Sequence, residues 1–353
     1  MIPRNRYFDH AASTPLDPEV REAMVPWFGG RFGNAHSIHQ AGLEAADAIE
    51  RARESVAFLI GAESPEQVFF TSGATESNNW IALQSRTLSI SPFEHSSMRA
   101  PALRHGATLL PNEGWSLREP LPNVECLAII GVHNETGTIF PAISPERTHR
   151  DATQELGKTA IRVAESGVAS LSLSAHKIYG PQGVGALYVR APYSLTPLIL
   201  GGDQERRMRG GTLNVAGIVG LGAAARLAAD RFEEDLTHAK ELSSQLEQAM
   251  TAVSDVQRVG GDMRSPYIHG YVVNGVLGEA LVIGLDAEGF AVSSGAACSS
   301  HSEELSPSLL AAGTDEASVR SFIRVSLGRE HTQDDIDAFT RTFRKVVNQL
   351  RSN

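Results

Sequence analysis

The chain has 353 residues, of which 42% are hydrophobic and 20% are charged, and its formal net charge is −10. This composition provides for a packed core and excludes a disordered chain, and the negative charge argues against direct, sequence-independent binding to nucleic acid. Two cysteines, Cys126 and Cys298, are too few for a disulfide framework or a four-thiolate zinc site. We expect a cytoplasmic protein without membrane contact, since no apolar leader or bilayer-length apolar run is present.

Predicted helices and strands alternate through the first two thirds of the chain. One helix begins at Asp17–Pro18, and a second spans about 37–60. A strand over 68–71 then runs through a tight turn into a helix that begins near Thr75. The residues predicted on the buried side of the second helix are Leu43, Ala46, Ile49 and Val56. Further predicted strands are TLSIS (87–91), ATLL (107–110), ECLAIIGV (125–132), SLSLS (170–174) and VGALYVR (184–190). Buried strands interleaved with helices predict an α/β layer sheet, mostly parallel.

The last third of the chain has a different pattern. An amphipathic helix is predicted over 232–253, and a final helix begins at Thr332, a suitable N-cap residue. We place a domain boundary near residue 235. The expected large domain is 14–235, and the expected smaller α+β domain combines 1–13 with 236–353.

One lysine lies in an unusual position. In SLSAHKIYGPQGVG (172–185), Lys177 follows a predicted buried strand and precedes a glycine-rich turn. A surface lysine is the more frequent case. Burial or a neighbouring cation, however, lowers the pKa of a lysine, and the neutral amine then attacks carbonyl carbons. The position of Lys177 therefore suggests the Schiff-base lysine of a pyridoxal phosphate (PLP) enzyme, which also requires partners for the phosphate and the ring.

Candidates for these partners occur elsewhere in the chain. The turn at Gly73 opens a helix whose N-terminus favours an anion, and Thr75 adds a hydroxyl. In DATQ (151–154), Asp151 could hold the pyridine nitrogen protonated and Gln154 could contact the phenolate oxygen. His95 could stack on the ring face. Each residue alone is more often structural, but their joint occurrence favours the PLP interpretation.

Eight segments together resemble one known family, the cysteine desulfurases, which are class V aminotransferases among the fold-type-I PLP enzymes. The resemblance extends over nearly the whole chain. It implies a PLP-dependent transferase with a three-layer large domain, a mainly parallel sheet and a smaller α+β domain. The segments are YFDHAASTP (7–15), TSGATESNN (71–79), HNETG (133–137), DATQ (151–154), SAHKIYGPQGVGALYVR (174–190), RGGTLN (209–214), SSGAACSS (293–300) and IRVSLGR (323–329).

The resemblance implies a role for each matching residue. Lys177 would hold PLP as a Schiff base and move the Cα proton of the substrate, and His95 would stack on the ring and move protons near the thiols. Arg324 would bind the substrate carboxylate, which suits its bidentate fork. The other implied contacts are Asp151 and Gln154 to the ring; Gly73, Ala74, Thr75, Ser174 and His176 around the phosphate; Thr212 to the cofactor phosphate of the other subunit in a homodimer; and Asn34 and Asn134 beside the carboxylate.

The two cysteines lie in contrasting segments. Cys126 is in the apolar run VECLAII (124–130), whereas Cys298 is in the small, polar segment SSGAACSSHSEELSPS (293–308). We interpret Cys126 as an inert core residue and Cys298 as a reactive thiol. The resemblance implies that Cys298, on an extended loop, takes sulfur from L-cysteine, leaving L-alanine, and passes the persulfide to an acceptor protein. Iron–sulfur assembly, tRNA thiolation and DNA phosphorothioation all remain open as pathways.

Some segments depart from the family pattern. The stretch from Asn134 to Asp151 is short, and its end, PAISPERTHRDATQ (141–154), contains no predicted apolar strand before Asp151. Gln182 stands where lysine is common in the family. We expect a pared-down large domain with fewer peripheral helices.

Two alternatives remain. Another fold-type-I PLP enzyme, such as a selenocysteine lyase or an aminotransferase, would share most of these residues, although an aminotransferase has no use for Cys298. A non-catalytic sulfur-relay scaffold is disfavoured because Lys177, Asp151, His95 and Cys298 are all present.

Overall fold

The structure is a computed structural model that describes residues 2–191, 195–295 and 305–352. Its strands are β1 (Val68–Thr71), β2 (Leu88–Ile90), β3 (Thr108–Leu109), β4 (Asn112–Glu113), β5 (Ser116–Leu117), β6 (Cys126–Ala128), β7 (Thr148–Asp151), β8 (Ser170–Ser174), β9 (Gly185–Val189), β10 (Val256–Val259), β11 (Ile268–Val273) and β12 (Phe322–Ser326). The larger sheet has seven strands in the order β1-β9-β8-β7-β6-β2-β3. Six of these seven described strands are parallel to one another, and β9 runs in the opposite direction. The predicted mainly parallel α/β sheet is confirmed.

The described residues also form helices, some of which cover both faces of this sheet. They are α1 (Pro18–Met24), α2 (Gln40–Ile60), α3 (Ala74–Gln84), α4 (Ser96–Arg104), α5 (Val163–Ser166), α6 (Val215–Asp230), α7 (Phe232–Thr251), α8 (Gly278–Ala287), α9 (Pro307–Ala311), α10 (Glu316–Arg320) and α11 (Gln333–Arg351). One apolar core lies between α1, α2, α6 and the sheet, and another lies between α3, α4 and the opposite face. The large part of the chain therefore has three layers, as expected.

The buried side of α2 differs from the prediction. Leu43 is 54% exposed, and Ala46 is half-buried. Helix α2 instead packs through small side chains, because a Cβ added to Gly222 of α6 would lie 2.5 Å from the Cα of Ala52. The residues that face the core are Ala45, Ala48, Ile49, Ala52 and Val56. Close approach of two helices thus selects alanine at positions where the pattern of large apolar residues points elsewhere.

A smaller antiparallel sheet, β10-β11-β12, forms a second core with α7, α8 and α11. Phe8 near the N-terminus is fully buried in this core. Thr332 caps α11 by accepting a hydrogen bond from the Asp335 backbone N–H, as predicted. We propose the same division as before, 14–235 and 1–13 with 236–353, with α7 passing from one part to the other.

The segment before Asp151, in which the sequence shows no apolar strand, forms the polar strand β7. Thr148 and His149 are fully buried in it. The strand is buried although it is polar, because its polar side chains form hydrogen bonds. In the described parts of the chain, no helix combines the length and the apolar character that crossing a bilayer requires.

Candidate active site

The carboxyl ends of β1, β7 and β8 open into a cavity of about 500 Å³. Ligands of parallel sheets bind at this edge, where the loops after neighbouring strands converge. The structure places most of the predicted site residues around the cavity. Those that line it are Gly73, Ala74, Thr75, His95, Asn134, Asp151, Gln154, Ser174, His176, Lys177 and Arg324.

Two of the predicted residues that the structure describes, Asn34 and Thr212, do not line the cavity. Asn34 is exposed, and its Oδ1 accepts a hydrogen bond from the backbone N–H of His36. Thr212 is also exposed. Cys298 lies outside the described residues. The cavity within one chain therefore accounts for the remaining candidates only.

The turn after β1 provides an anion-binding end of the cavity. Helix α3 begins at Ala74, and the backbone N–H groups of Ala74 and Thr75, which line the cavity, make no backbone hydrogen bond within the described residues. The Ser174 hydroxyl oxygen lies 3.7 Å from the position that a Cβ on Gly73 would take. Backbone donors, hydroxyls and His176 thus surround a space that suits a phosphate.

An ion pair fixes this turn to the segment that contains Thr212. Arg209 donates to both carboxylate oxygens of Glu76, at 2.9 and 3.1 Å, and the Ser72 backbone N–H donates to Glu76 Oε2 at 2.8 Å. Burial opposes the charge on Glu76, but these hydrogen bonds still lower its pKa. Glu76 and Arg209 were not identified from the sequence, where they resemble ordinary surface charges.

Asp151 and His95 are connected by one buried amide. Asn78 Nδ2 donates to Asp151 Oδ2 and to Ser97 Oγ, both at 2.8 Å. Ser97 Oγ lies 2.8 Å from His95 Nδ1, which also accepts from the Ser97 backbone N–H at 3.2 Å. Since Nδ1 is an acceptor, neutral His95 carries its proton on Nε2. Asn78 therefore positions the carboxylate and the imidazole together.

His149 of strand β7 completes the network from below. Its Nε2 lies 3.0 Å from Asn78 Oδ1, and its Nδ1 lies 2.8 Å from Ser170 Oγ. Because both Asn78 donors are already used, Oδ1 is the acceptor and His149 Nε2 is the donor. Burial lowers the pKa of His149 to about 4, so the ring is neutral near pH 7.

The electrostatics around the cavity keep His95 neutral as well. Burial lowers the pKa of His95, and the charges of Lys177 and Arg324 act in the same direction, against the opposing effect of Asp151. Lys177 Nζ donates to the backbone carbonyls of Ala11 and Ala12 at 2.6 and 2.8 Å. The amine and the imidazole line the same cavity.

Arg324 is held at the edge of the cavity where the smaller sheet meets the larger one. Its Nη2 donates to Asp9 Oδ1 at 2.7 Å, and its Nη1 donates to the Asn134 carbonyl at 2.9 Å. Its Nε is buried and makes no hydrogen bond with the described residues. The guanidinium is therefore held in place, and its Nε–H donor remains available to a carboxylate bound in the cavity.

Outside the cavity, the described residues contain neither an exposed thiol nor a metal-binding cluster. Cys126 is 2% exposed, and burial raises the pKa of its thiol to about 11, which places it in the core as expected. No group of three or more His, Cys, Asp or Glu side chains within ranges 2–191, 195–295 and 305–352 could hold a metal ion. The cavity around Lys177 is therefore the candidate active site.

Comparison with known proteins agrees with this site. The aminotransferase class-V family model matches residues 6–339. Cysteine desulfurase IscS of Dictyoglomus turgidum (strain DSM 6724 / Z-1310) is 38% identical, and the alignment covers 99% of this chain and 96% of the relative.

Two solved structures share the fold. A NifS-like protein has 30% identity, a TM-score of 0.89 and coverage of 97% of this chain and 99% of its own. A structure described as SspA in complex with cysteine has 31% identity, a TM-score of 0.77 and coverage of 93% and 100%. These likenesses confirm the expected fold-type-I architecture. Because the family model and the relatives cover nearly the whole chain, the protein belongs to the aminotransferase class-V family, among its cysteine desulfurases.

Proposed function

We propose that this cysteine desulfurase uses PLP bound at Lys177 to remove sulfur from L-cysteine, with Cys298 as the sulfur acceptor. The observation that carries the proposal is that one cavity is lined by an amine, a carboxylate, an imidazole and a guanidinium, namely Lys177, Asp151, His95 and Arg324. An anion-binding helix N-terminus lies at the same cavity. A solved relative described as bound to cysteine supports the choice of substrate.

The residues present fit PLP. The first turn of α3 and the hydroxyl of Ser174 suit the phosphate, and Asp151, buried and held by Asn78, suits a protonated pyridine nitrogen. Gln154 and His95 line the same cavity and are available to the rest of the ring. When bound, PLP supplies an electron sink that accepts the charge left when a bond to the substrate Cα is broken.

The chain's own residues bind the substrate and move its protons. Arg324 and Asn134 receive the carboxylate, which orients Cα toward Lys177. The Lys177 amine removes the Cα proton, and the carbonyls of Ala11 and Ala12 hold that amine in place. His95 exchanges protons through Nε2, since Ser97 occupies Nδ1.

The sulfur step is balanced without an external oxidant or reductant. The C–S bond of the substrate breaks, an S–S bond forms at Cys298, and the substrate carbon takes up the proton, giving L-alanine and a persulfide. An acceptor protein or thiol then removes the outer sulfur. The thiolate form of Cys298 is the nucleophile.

We also propose a homodimer in a cytoplasmic location. Large apolar side chains are exposed in one part of the sequence, including Phe32 at 85% and Ile38 at 95%. Val25, Phe28 and Leu43 of the same segment are also exposed. A second copy of the chain would cover such a surface, and it would explain why Asn34 and Thr212 lie outside the cavity of their own subunit.

The activity is tested with the PLP-loaded full chain and two matched cysteine variants. We expect L-alanine and sulfide from L-cysteine plus a thiol reductant. Cys298→Ser should retain the yellow adduct and lose turnover by about 10³-fold or more. Cys126→Ala, the control, should retain turnover because the Cys126 thiol is buried away from the cavity.

Two results would contradict this function. Failure to trap PLP on Lys177 with borohydride would exclude the proposed linkage. Sulfide release by Cys298→Ser at the wild-type rate would exclude Cys298 as the sulfur acceptor and leave a lyase of the same fold as the better assignment.

A further inference from the structure

Lys158 is a second lysine buried close to Lys177. It follows β7 by one short turn and is 7% exposed. Its Nζ donates to Gln154 Oε1 at 3.4 Å and lies 5.9 Å from the centre of the Tyr267 ring. Within the described ranges it forms no ion pair with a carboxylate. Burying a cation without a counter-ion is costly, so a structural role alone is a weak explanation for a lysine here.

A cavity of about 30 Å³ borders both Lys158 and Lys177. We call the side of Lys177 that borders this small cavity its rear. Lys177 also lines the large cavity. The titratable and charged groups that face the two lysines from the surrounding elements are His10, His95, Asp151, His176, Tyr179, Asp235, Tyr267, Arg324 and Arg329.

The contact with Lys158 determines the orientation of the Gln154 amide. An ammonium group can only donate hydrogen bonds, so the atom that faces it must be the amide oxygen. The amide nitrogen then points the other way, and Nε2 donates to the Ala11 carbonyl oxygen at an N···O distance of 2.8 Å. This carbonyl also accepts from Lys177. A continuous chain of hydrogen bonds thus links the two lysines through Gln154 and Ala11.

We propose that Lys158 is a positioning residue that orients Gln154 toward the cofactor and places a second cation behind Lys177. The proposal rests on the proposed function, because it assigns Lys158 a role in tuning that same site. Lys158 is not among the described residues that line the large cavity, so we assign it an action only through Gln154 and through its charge.

The charges of the two lysines oppose each other. Burial, followed by the charge of Lys177, lowers the pKa of Lys158 to about 7. By the same repulsion, Lys158 disfavours a proton on the nitrogen of Lys177 and so favours the neutral amine that the chemistry needs. The nearby histidines do not add to this charge near pH 7: burial and the two lysines lower the pKa of His176 to about 4.

The test is a pH titration of the absorbance of the Lys177–PLP adduct in the holoenzyme. Lys158→Met and Lys158→Gln both remove the charge, and each should raise the pKa of the adduct by about one unit. Lys158→Arg keeps the charge and should stay within about 0.3 units of wild type. Lys240→Met, at an exposed lysine of α7, is the matched control and should cause no shift.

Two neutral variants are included because either substitution could disturb folding, which circular dichroism monitors. An unchanged adduct pKa in a folded neutral variant overturns the proposal, as does a shift in Lys158→Arg equal to that in Lys158→Met. The titration requires only the adduct. A wild-type protein that titrates normally but produces no alanine would therefore refute the proposed function and leave the role of Lys158 intact.

Discussion

The two sides of Lys177 are built differently. On the front, the side of the large cavity, Asn78 connects His95 to Asp151. The polar atoms of the Asn78 side chain all form hydrogen bonds. On the rear, the side of the small cavity, His10 has two buried ring nitrogens without a hydrogen bond to the described residues, and the Tyr267 hydroxyl has none either. Both sides are buried, so burial alone does not explain the difference.

The difference shows how the site divides its work. A satisfied network holds its members in one geometry, which suits groups that must meet a ring and a substrate. On the rear, Lys158 forms no ion pair with a carboxylate among the described residues, which suits the electrostatic control that we assign to it. The front therefore fixes the positions of His95 and Asp151, and the rear places the charge of Lys158 near the Lys177 nitrogen.

Acidification should disturb both sides at once and has the largest expected effect. Burial lowers the pKa of His149 on the front to about 4, and it does the same for His331 behind His10. The pKa of His133 falls to about 3, and that of His10 is also lowered. The unfolded chain therefore binds more protons below pH 6.5, so stability present above pH 6.5 is lost as the pH falls toward 4.

Two buried carboxyl groups oppose this loss in part. Burial raises the pKa of Glu94 to about 8 and that of Glu135 to about 7, so both favour the folded state in acid. Since more histidines than carboxyl groups are involved, the free energy of unfolding should fall by roughly 1.4 kcal/mol per pH unit for each net proton. Denaturant unfolding at pH 7, 6 and 5 measures it.

A matched histidine pair checks the source of the acid effect. His331→Asn retains an acceptor for the Gly328 backbone N–H and should reduce the pH dependence by about one proton. His105→Gln, at an exposed histidine, should leave it unchanged. Equal stability of the wild-type protein at pH 7 and pH 5 would show that these rings are not held neutral.

Breaking the front alone should mainly reduce activity. Asn78→Leu removes the donor to Asp151 and the link to Ser97, and we expect kcat/KM for L-cysteine to fall by about 100-fold. Asn79→Leu alters the next residue of α3, whose amide contacts only backbone carbonyls, and should cost far less. Steady-state kinetics with alanine detection decides, and equal losses in the two variants would refute the role of Asn78.

The sequence predicts the front better than the rear. Lys177 and His95 each follow a strand that the sequence predicts, so their convergence can be inferred from the carboxyl ends of a parallel sheet. Asp151 was identified from the DATQ segment, without the strand that carries it. The sequence does not identify Lys158 as a site residue. Its role depends on its contacts with the rear of Lys177 and with Tyr267, which is more than a hundred residues away along the chain.

The failed fold predictions have a similar cause. Strand β7 was missed because hydrophobic patterning cannot recognise a buried strand made of Thr-His-Arg-Asp. His149 is stable there only because Asn78, Ser170 and Ser172 come from other elements to bind it. Leu43 was expected inside because large apolar residues favour the core, whereas alanine contacts between α2 and α6 set the actual face.

The smallest effect is expected for Tyr267→Phe, which tests whether the Tyr267 hydroxyl lacks a hydrogen-bond partner. Tyr267→Phe removes an oxygen that has no protein partner in the described chain and retains the ring beside Lys158. Removing an unsatisfied polar atom costs little, so the free energy of unfolding should change by less than about 0.5 kcal/mol. Ser97→Ala on the front, in contrast, leaves an Asn78 donor unpaired and should cost about 1–3 kcal/mol. Denaturant unfolding of both variants gives the contrast directly, and a Tyr267→Phe cost as large as that of Ser97→Ala would mean that the two sides of Lys177 are equally satisfied.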